Sequence, residues 1–184
     1  MLFDLAETAE LSKKMQAMSS GVHINNTENR SVLHFALRSP EGDSIQCDGV
    51  NVVPNVHSVR HQISDFSTRI RSGEWKGCTG KDIKNIISVG IGGSYLGPEF
   101  VYESLRNDPD GAAAAKGRTL RFLANVDPVD CCRAVEGLDP ETTLICIVSK
   151  TFTTAETMMN AKTVLNWLVE KLLGFSKLGL TGMS

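Results

Sequence analysis

The apolar positions change period partway along the chain. Before Lys84 they recur mostly at helical spacing, whereas from Ile86 onward short unbroken apolar runs alternate with helical segments. Phe3, Leu5, Leu11, Met15 and Met18 predict a helix over residues 3–18, closed by Ser19-Ser20-Gly21. A polar loop runs from His23 to Asn29, and Val32, Leu33, Phe35, Ala36 and Leu37 predict a short helix over Arg30 to Arg38. Asp48-Gly49 stands between Ile45-Gln46-Cys47 and Val50-Asn51-Val52, a strong two-residue hairpin signal. Val56, Val59, Ile63, Phe66 and Ile70 predict a helix over 54–72, with Pro54 near its start and Gly73 just beyond its end.

In the second half, Ile86-Ile87-Ser88-Val89, Leu120-Arg121-Phe122-Leu123-Ala124 and residues 143–148 are predicted as strands. Between them lie a helix over Leu96 to Leu105, a loop over Asn107 to Gly117, and a helix capped by Asp127 with Pro128 at its first position, ending at Gly137. Ala155, Met158, Met159, Lys162, Leu165, Leu168, Val169 and Leu172 predict the closing helix. Strands and helices alternating over 85–172 predict right-handed βαβ units and a parallel sheet.

Composition narrows the class. The chain has 184 residues, 41% hydrophobic and 22% charged, with a net charge of −2, so no bulk electrostatic attraction to nucleic acid or an anionic membrane is expected. No stretch has the length of a membrane span, and Asp4, Glu7 and Glu10 stand where a signal peptide would be basic. The five cysteines are odd in number and form no CxxC, which favours reduced thiols in the cytoplasm over a disulfide framework or a zinc site. Cys146, mid-strand, is expected to be a small core residue.

The densest chemistry lies between the last strand and the last helix. Ser149-Lys150-Thr151-Phe152-Thr153-Thr154 puts four hydroxyls and a lysine at a helix start, where free N–H groups and a partial positive charge attract phosphate. Thr153 and Glu156 have capping-box spacing. A second turn, Gly90-Ile91-Gly92-Gly93-Ser94, follows the first strand of the alternating half; its glycines permit close backbone approach to a ligand. Tyr95 stands where a dinucleotide fingerprint needs its third glycine, and no Gly-Lys-Ser/Thr closes a P-loop. Ligands of open parallel sheets bind beyond the carboxyl ends of the strands. Gly93, Ser94, Ser149, Lys150, Thr151 and Thr154 are therefore expected to converge on one phosphorylated small molecule. His57 and His61 share a helix face, but Ser58 replaces the glutamate of HExxH, so a polar helix face is preferred to a metal site.

Four blocks carry a family resemblance. They are Ile24-Asn25 through Arg38, Arg71-Ser72-Gly73 through Gly80, Val89 through Pro98, and Ser149-Lys150-Thr151-Phe152-Thr153-Thr154 with Glu156-Thr157. Together with Leu123-Ala124-Asn125-Val126-Asp127-Pro128-Val129-Asp130, they resemble glucose-6-phosphate isomerases, the plant cytosolic form above all, from about Phe3 to about Val169. The resemblance implies a three-layer αβα sugar-isomerase (SIS) type domain. Ser149, Thr151 and Thr154 would bind phosphate, with Ser94 and the Gly93 backbone beside them. Phe152 and Thr153 would complete the substrate-binding turn, and Lys150 would help polarise the sugar.

The implied substrates are glucose 6-phosphate and fructose 6-phosphate, interconverted through a cis-enediol(ate) in glycolysis and gluconeogenesis. The resemblance implies no metal and no organic cofactor, and either a homodimer or pairing with full-length subunits. The family's general base and ring-opening groups match no residue here, so the chain is expected to be a fragment that keeps the phosphate turn without the base. The alternative is a non-catalytic sugar-phosphate-binding or subunit-pairing isoform. The expected division is an N-terminal helical segment with a hairpin (1–84), a partial SIS domain (85–172) and a divergent tail (173–184).

Overall fold

A computed structural model describes residues 1–179, with side chains to residue 174; the end of the expected tail, 180–184, lies outside the described residues. The chain divides into two compact units, 1–68 and 69–184.

The first unit opens with α1 (Leu2–Thr8) and α2 (Leu11–Ser19). One helix was expected here. Glu10 takes a left-handed conformation (φ 51°) and breaks it, and neither half buries a residue. The helix expected over Arg30 to Arg38 shrinks to a 3₁₀ turn, His34–Arg38. Arg30 pairs instead with Asn25 through two backbone hydrogen bonds of 3.1 and 3.2 Å, which hold residue 30 extended. The hairpin forms as its turn residues dictate: β1 (Gln46–Cys47) pairs antiparallel with β2 (Val50–Asn51), and Asp48 and Gly49 both have positive φ. Next comes α3 (Val53–Ser72), whose final turn falls in the second unit. Val59, Ile63 and Phe66 on its apolar stripe stay exposed.

The second unit is built on three parallel strands in the order β4-β3-β5, where β3 is Asn85–Val89, β4 Thr119–Leu123 and β5 Thr143–Ile147. The connections are α4 (Gly93–Leu105), α5 (Pro109–Ala115) and α6 (Pro128–Val135); α7 (Ala155–Gly179) follows β5. The α5 segment was expected to be a loop. Asp108 caps it by accepting from Gly111 N at 2.9 Å, Pro109 fits its first position, and its alanines are the best helix formers. Such a helix needs no apolar periodicity to form.

Ile87, Val89 and Leu123 point to one face of the sheet. They form the core with Ala134 of α6 and Ala161 and Val164 of α7. On the other face α4 sets Tyr95 and Tyr102 edge-on to Phe122, at 5.6 and 5.9 Å between ring centroids. The result is the expected three-layer αβα arrangement. One expectation about its interior fails. Cys146 is exposed, because β5 is an edge strand and its face away from α6 and α7 is uncovered. On α7 the buried residues are Thr157, Asn160, Ala161 and Val164, while Met159, Leu165 and Val169 face out. The helix carries apolar residues on two sides, and the side with small residues is the one that approaches the sheet.

Candidate functional site

Parallel pairing of β3 with β5 puts the ends of both strands together. Val89 registers with Ile147, and one residue further Val148 N donates to Val89 O at 2.8 Å. The glycine turn (90–93) and the hydroxyl turn (148–154) therefore leave the same edge of the sheet side by side. They also touch. A methyl group on Gly90 would lie 3.1 Å from the Val148 carbonyl oxygen and 3.0 Å from Ser94 Cβ, so only glycine fits between them without displacement. Gly92 sits at φ 57°, ψ −125°, and its carbonyl accepts from Tyr95 and Leu96 N–H to start α4.

In the hydroxyl turn Ser149 Oγ accepts from Phe152 N at 3.0 Å, which supports Phe152 in a left-handed conformation (φ 55°). The Thr151 and Thr153 hydroxyls share a hydrogen bond of 2.7 Å. Because α7 begins at Ala155, Thr154 occupies its cap position and Thr157 the third helical position. The expected Thr153–Glu156 capping box is thus one residue out of register, and Thr153 is held by Thr151 instead. Ser149 and Thr154 are half-buried; Lys150, Thr151, Phe152 and Thr153 are exposed. The N-termini of α4 and α7, with 13 and 25 residues, open at this one edge, so their partial positive charges add there. A multiply charged anion suits such a place.

A third turn, after β4, shares the edge. Asn160 of α7 donates to Asn125 O at 3.0 Å, and Asp130 Oδ2 accepts from Asn125 N at 3.2 Å. Asp127 caps α6 through Val129 N at 2.8 Å, as expected from its place before Pro128. Behind the glycine turn a hydrogen bond to Glu99 is the main cause that pushes the Tyr95 phenol up to about 12, with burial and the Glu99 charge adding to it.

Elsewhere, the structure brings Glu41 to His57 and His61, a residue that helix spacing could not reveal. Glu41 Oε1 lies 3.5 Å from His57 Nδ1 and 3.5 Å from His61 Nε2, and His57 Nε2 donates to Ser39 O at 2.9 Å. Both His57 nitrogens are engaged by protein acceptors, in keeping with the polar-face reading.

A family model described as phosphoglucose isomerase matches residues 1–178. The chain belongs to the phosphoglucose isomerase family. It is 60% identical over 171 residues to the cytosolic glucose-6-phosphate isomerase B of Oryza sativa subsp. japonica, covering 93% of this chain and 30% of that protein. The cytosolic glucose-6-phosphate isomerase of Arabidopsis thaliana is 56% identical over the same length and share. The chain thus spans under a third of the length of the curated relatives it matches. A glucose-6-phosphate isomerase from Chlamydia trachomatis has the same fold, with a TM-score of 0.71 over 91% of this chain and 31% of that one, at 24% identity. The phosphoglucose isomerase match spans the αβα sheet and both turns at its edge. Among the described residues no helix is long and apolar enough to cross a membrane.

Proposed function

We propose that the paired turns bind the phosphate of glucose 6-phosphate or fructose 6-phosphate, as part of the reversible aldose–ketose isomerisation of these sugars. The observation that carries this reading is the contact of the glycine turn with the hydroxyl turn through Gly90 and Val148. Ser149 accepts the Phe152 amide on its lone pair, so its proton is free to be donated to a phosphate oxygen. Thr154 at the cap of α7, Thr151, Ser94 and the Gly93 backbone supply the remaining donors. Lys150 extends from the same turn as the cation nearest the sugar.

Isomerisation also needs a carboxylate to move a proton between C1 and C2. Neither turn, 90–94 or 148–154, contains Asp or Glu, so these turns bind and orient while proton transfer belongs to other residues. A chain of this kind acts as the phosphate-holding part of an isomerase, alone or paired with longer subunits. The names of its relatives support a place in the cytosol.

Calorimetric titration of the full chain with glucose 6-phosphate, with glucose as control, tests this. Ser149→Ala and Thr154→Ala should each weaken binding about tenfold or more, since a hydrogen bond to a charged group is worth about 1.5–3 kcal/mol. Unchanged affinity in both variants would overturn the assignment. Turnover of fructose 6-phosphate by the same preparation would place a base within this chain and direct attention to Glu99, Glu103 and Glu156.

A further inference from the structure

We propose that His23, Cys47 and Asp48 form a three-ligand site for a divalent cation of the zinc type. All three lie in the first unit, so the proposal stands apart from the phosphate turns. From the sequence, a zinc site among the cysteines and a metal site at His57 and His61 were both disfavoured; the group here joins Cys47 to residues that neither reading included. His23 comes from the loop after α2, while Cys47 and Asp48 come from the hairpin.

The fold brings these stretches together tightly. Gly21 packs its α-carbon against the Gln46 carbonyl, where any side chain would collide, and Ser31 Oγ donates to Gly21 O at 2.5 Å. The His23 loop is thereby fastened against β1. His23 Nε2 lies 3.1 Å from Asp48 Oδ1 and 3.2 Å from Oδ2, and Cys47 Sγ lies 3.8 Å from Asp48 Oδ2. The three ligand atoms all fall within 4.8 Å of one another. Ligand atoms around a tetrahedral zinc ion stand roughly 3.3–3.7 Å apart, given metal–nitrogen and metal–sulfur bonds of about 2.0 and 2.3 Å. Small side-chain adjustments reach that arrangement from the one observed.

The surroundings are those of a ligand set. Asn29 Oδ1 lies 3.2 Å from His23 Nδ1 and turns the ring so that Nε2 faces Asp48, the orienting role an outer partner plays for a metal-bound histidine. Ser31 Oγ lies 3.3 Å from Cys47 Sγ. The hairpin turn, with Asp48 at φ 50° and Gly49 at φ 79°, sets the two adjacent ligands on a fixed backbone. A nucleophilic Cys–His pair fits less well. Asn29 and Asp48 occupy both imidazole nitrogens, so neither is left to take a proton from the thiol. A cation instead replaces the proton between Nε2 and the carboxylate and takes the thiolate as its third ligand. His23 and Cys47 are half-buried and Asp48 is exposed, which leaves the fourth position open to water.

Cobalt(II) is the probe, titrated into the full chain under reducing conditions. The expected result is about one Co²⁺ per chain, with the d–d absorption of a tetrahedral ion and a sulfur-to-cobalt charge-transfer band. Cys47→Ser should remove that band, His23→Gln should weaken binding tenfold or more, and the double variant Cys78→Ser/Cys132→Ser should keep both signals. Absence of the band, its survival in Cys47→Ser, or its loss in the double variant would overturn the proposal. A second measurement needs no variant: zinc should slow alkylation of Cys47 at least tenfold, followed by peptide mass spectrometry. Equal alkylation rates with and without zinc would overturn it as well.

Discussion

Val148 donates its amide proton to the carbonyl of Val89 at 2.8 Å, one residue past the last paired rung of β3 and β5. That bond is the seam along which the glycine turn and the hydroxyl turn are joined. Everything proposed for the phosphate site depends on the seam staying closed, and Gly90 is the residue that lets it close.

Gly90→Ala should therefore open it. The new methyl would press on Ser94 and on the Val148 carbonyl at 3.0–3.1 Å, contacts tight enough to shift one turn against the other. We expect a loss of about 1–3 kcal/mol in urea denaturation. Affinity for glucose 6-phosphate should fall as well, because donors on the two turns would no longer converge. Unchanged stability would show that the turns accommodate a side chain between them.

The Tyr95 phenol offers a pH-dependent readout. It is pushed up to about 12 from an ordinary 10.0, first by its hydrogen bond to Glu99. In the interval between those values the unfolded chain has released a proton that the folded chain keeps. The stability that Tyr95 contributes is therefore fully present below this window and is lost as pH rises through it. In a Tyr102→Phe background, absorbance titration of the phenolate should find Tyr95 ionising late. Glu99→Gln should bring the transition back toward 10.0.

Capping sets the third expectation. Asp127 Oδ1 accepts from Val129 N at 2.8 Å at the start of α6, the helix that contributes Ala134 to the core. Asp127→Ala should cost about 1 kcal/mol in urea denaturation, and Asp127→Ser should restore most of it. Equal losses in both variants would point to a role for the carboxylate other than capping.

Much of the architecture was legible because local chemistry and global fold agree. Asp48-Gly49 can make little other than a hairpin turn, and apolar runs alternating with helices made a parallel sheet the natural inference. The shared edge of the two turns followed from that topology. The failures fall where a distant partner decides. Arg30 is held extended by Asn25, and Glu41 reaches His57 and His61 from another part of the first unit. Cys146 is exposed because its strand is an edge, which the composition of β5 does not reveal. On α7 the helical spacing showed the helix but not its buried side, which is taken by Thr157, Asn160, Ala161 and Val164 while Met159, Leu165 and Val169 face out. His23, Cys47 and Asp48 were invisible as a group, since a loop and a 3₁₀ turn part His23 from the adjacent Cys47 and Asp48, and such a separation shows no ligand spacing.

The strand order β4-β3-β5 has a consequence for how the molecule comes into being. Within this sheet the last strand in sequence slots beside the first, and Asn85 meets Thr142 from 57 positions away. A long loop must close before β5 gains any partner, and such non-local pairing is slow. The glycine turn can form early from neighbouring residues, but its companion arrives only once α6 is behind it. The phosphate site proposed for the paired turns therefore depends on a closure that local structure alone does not supply.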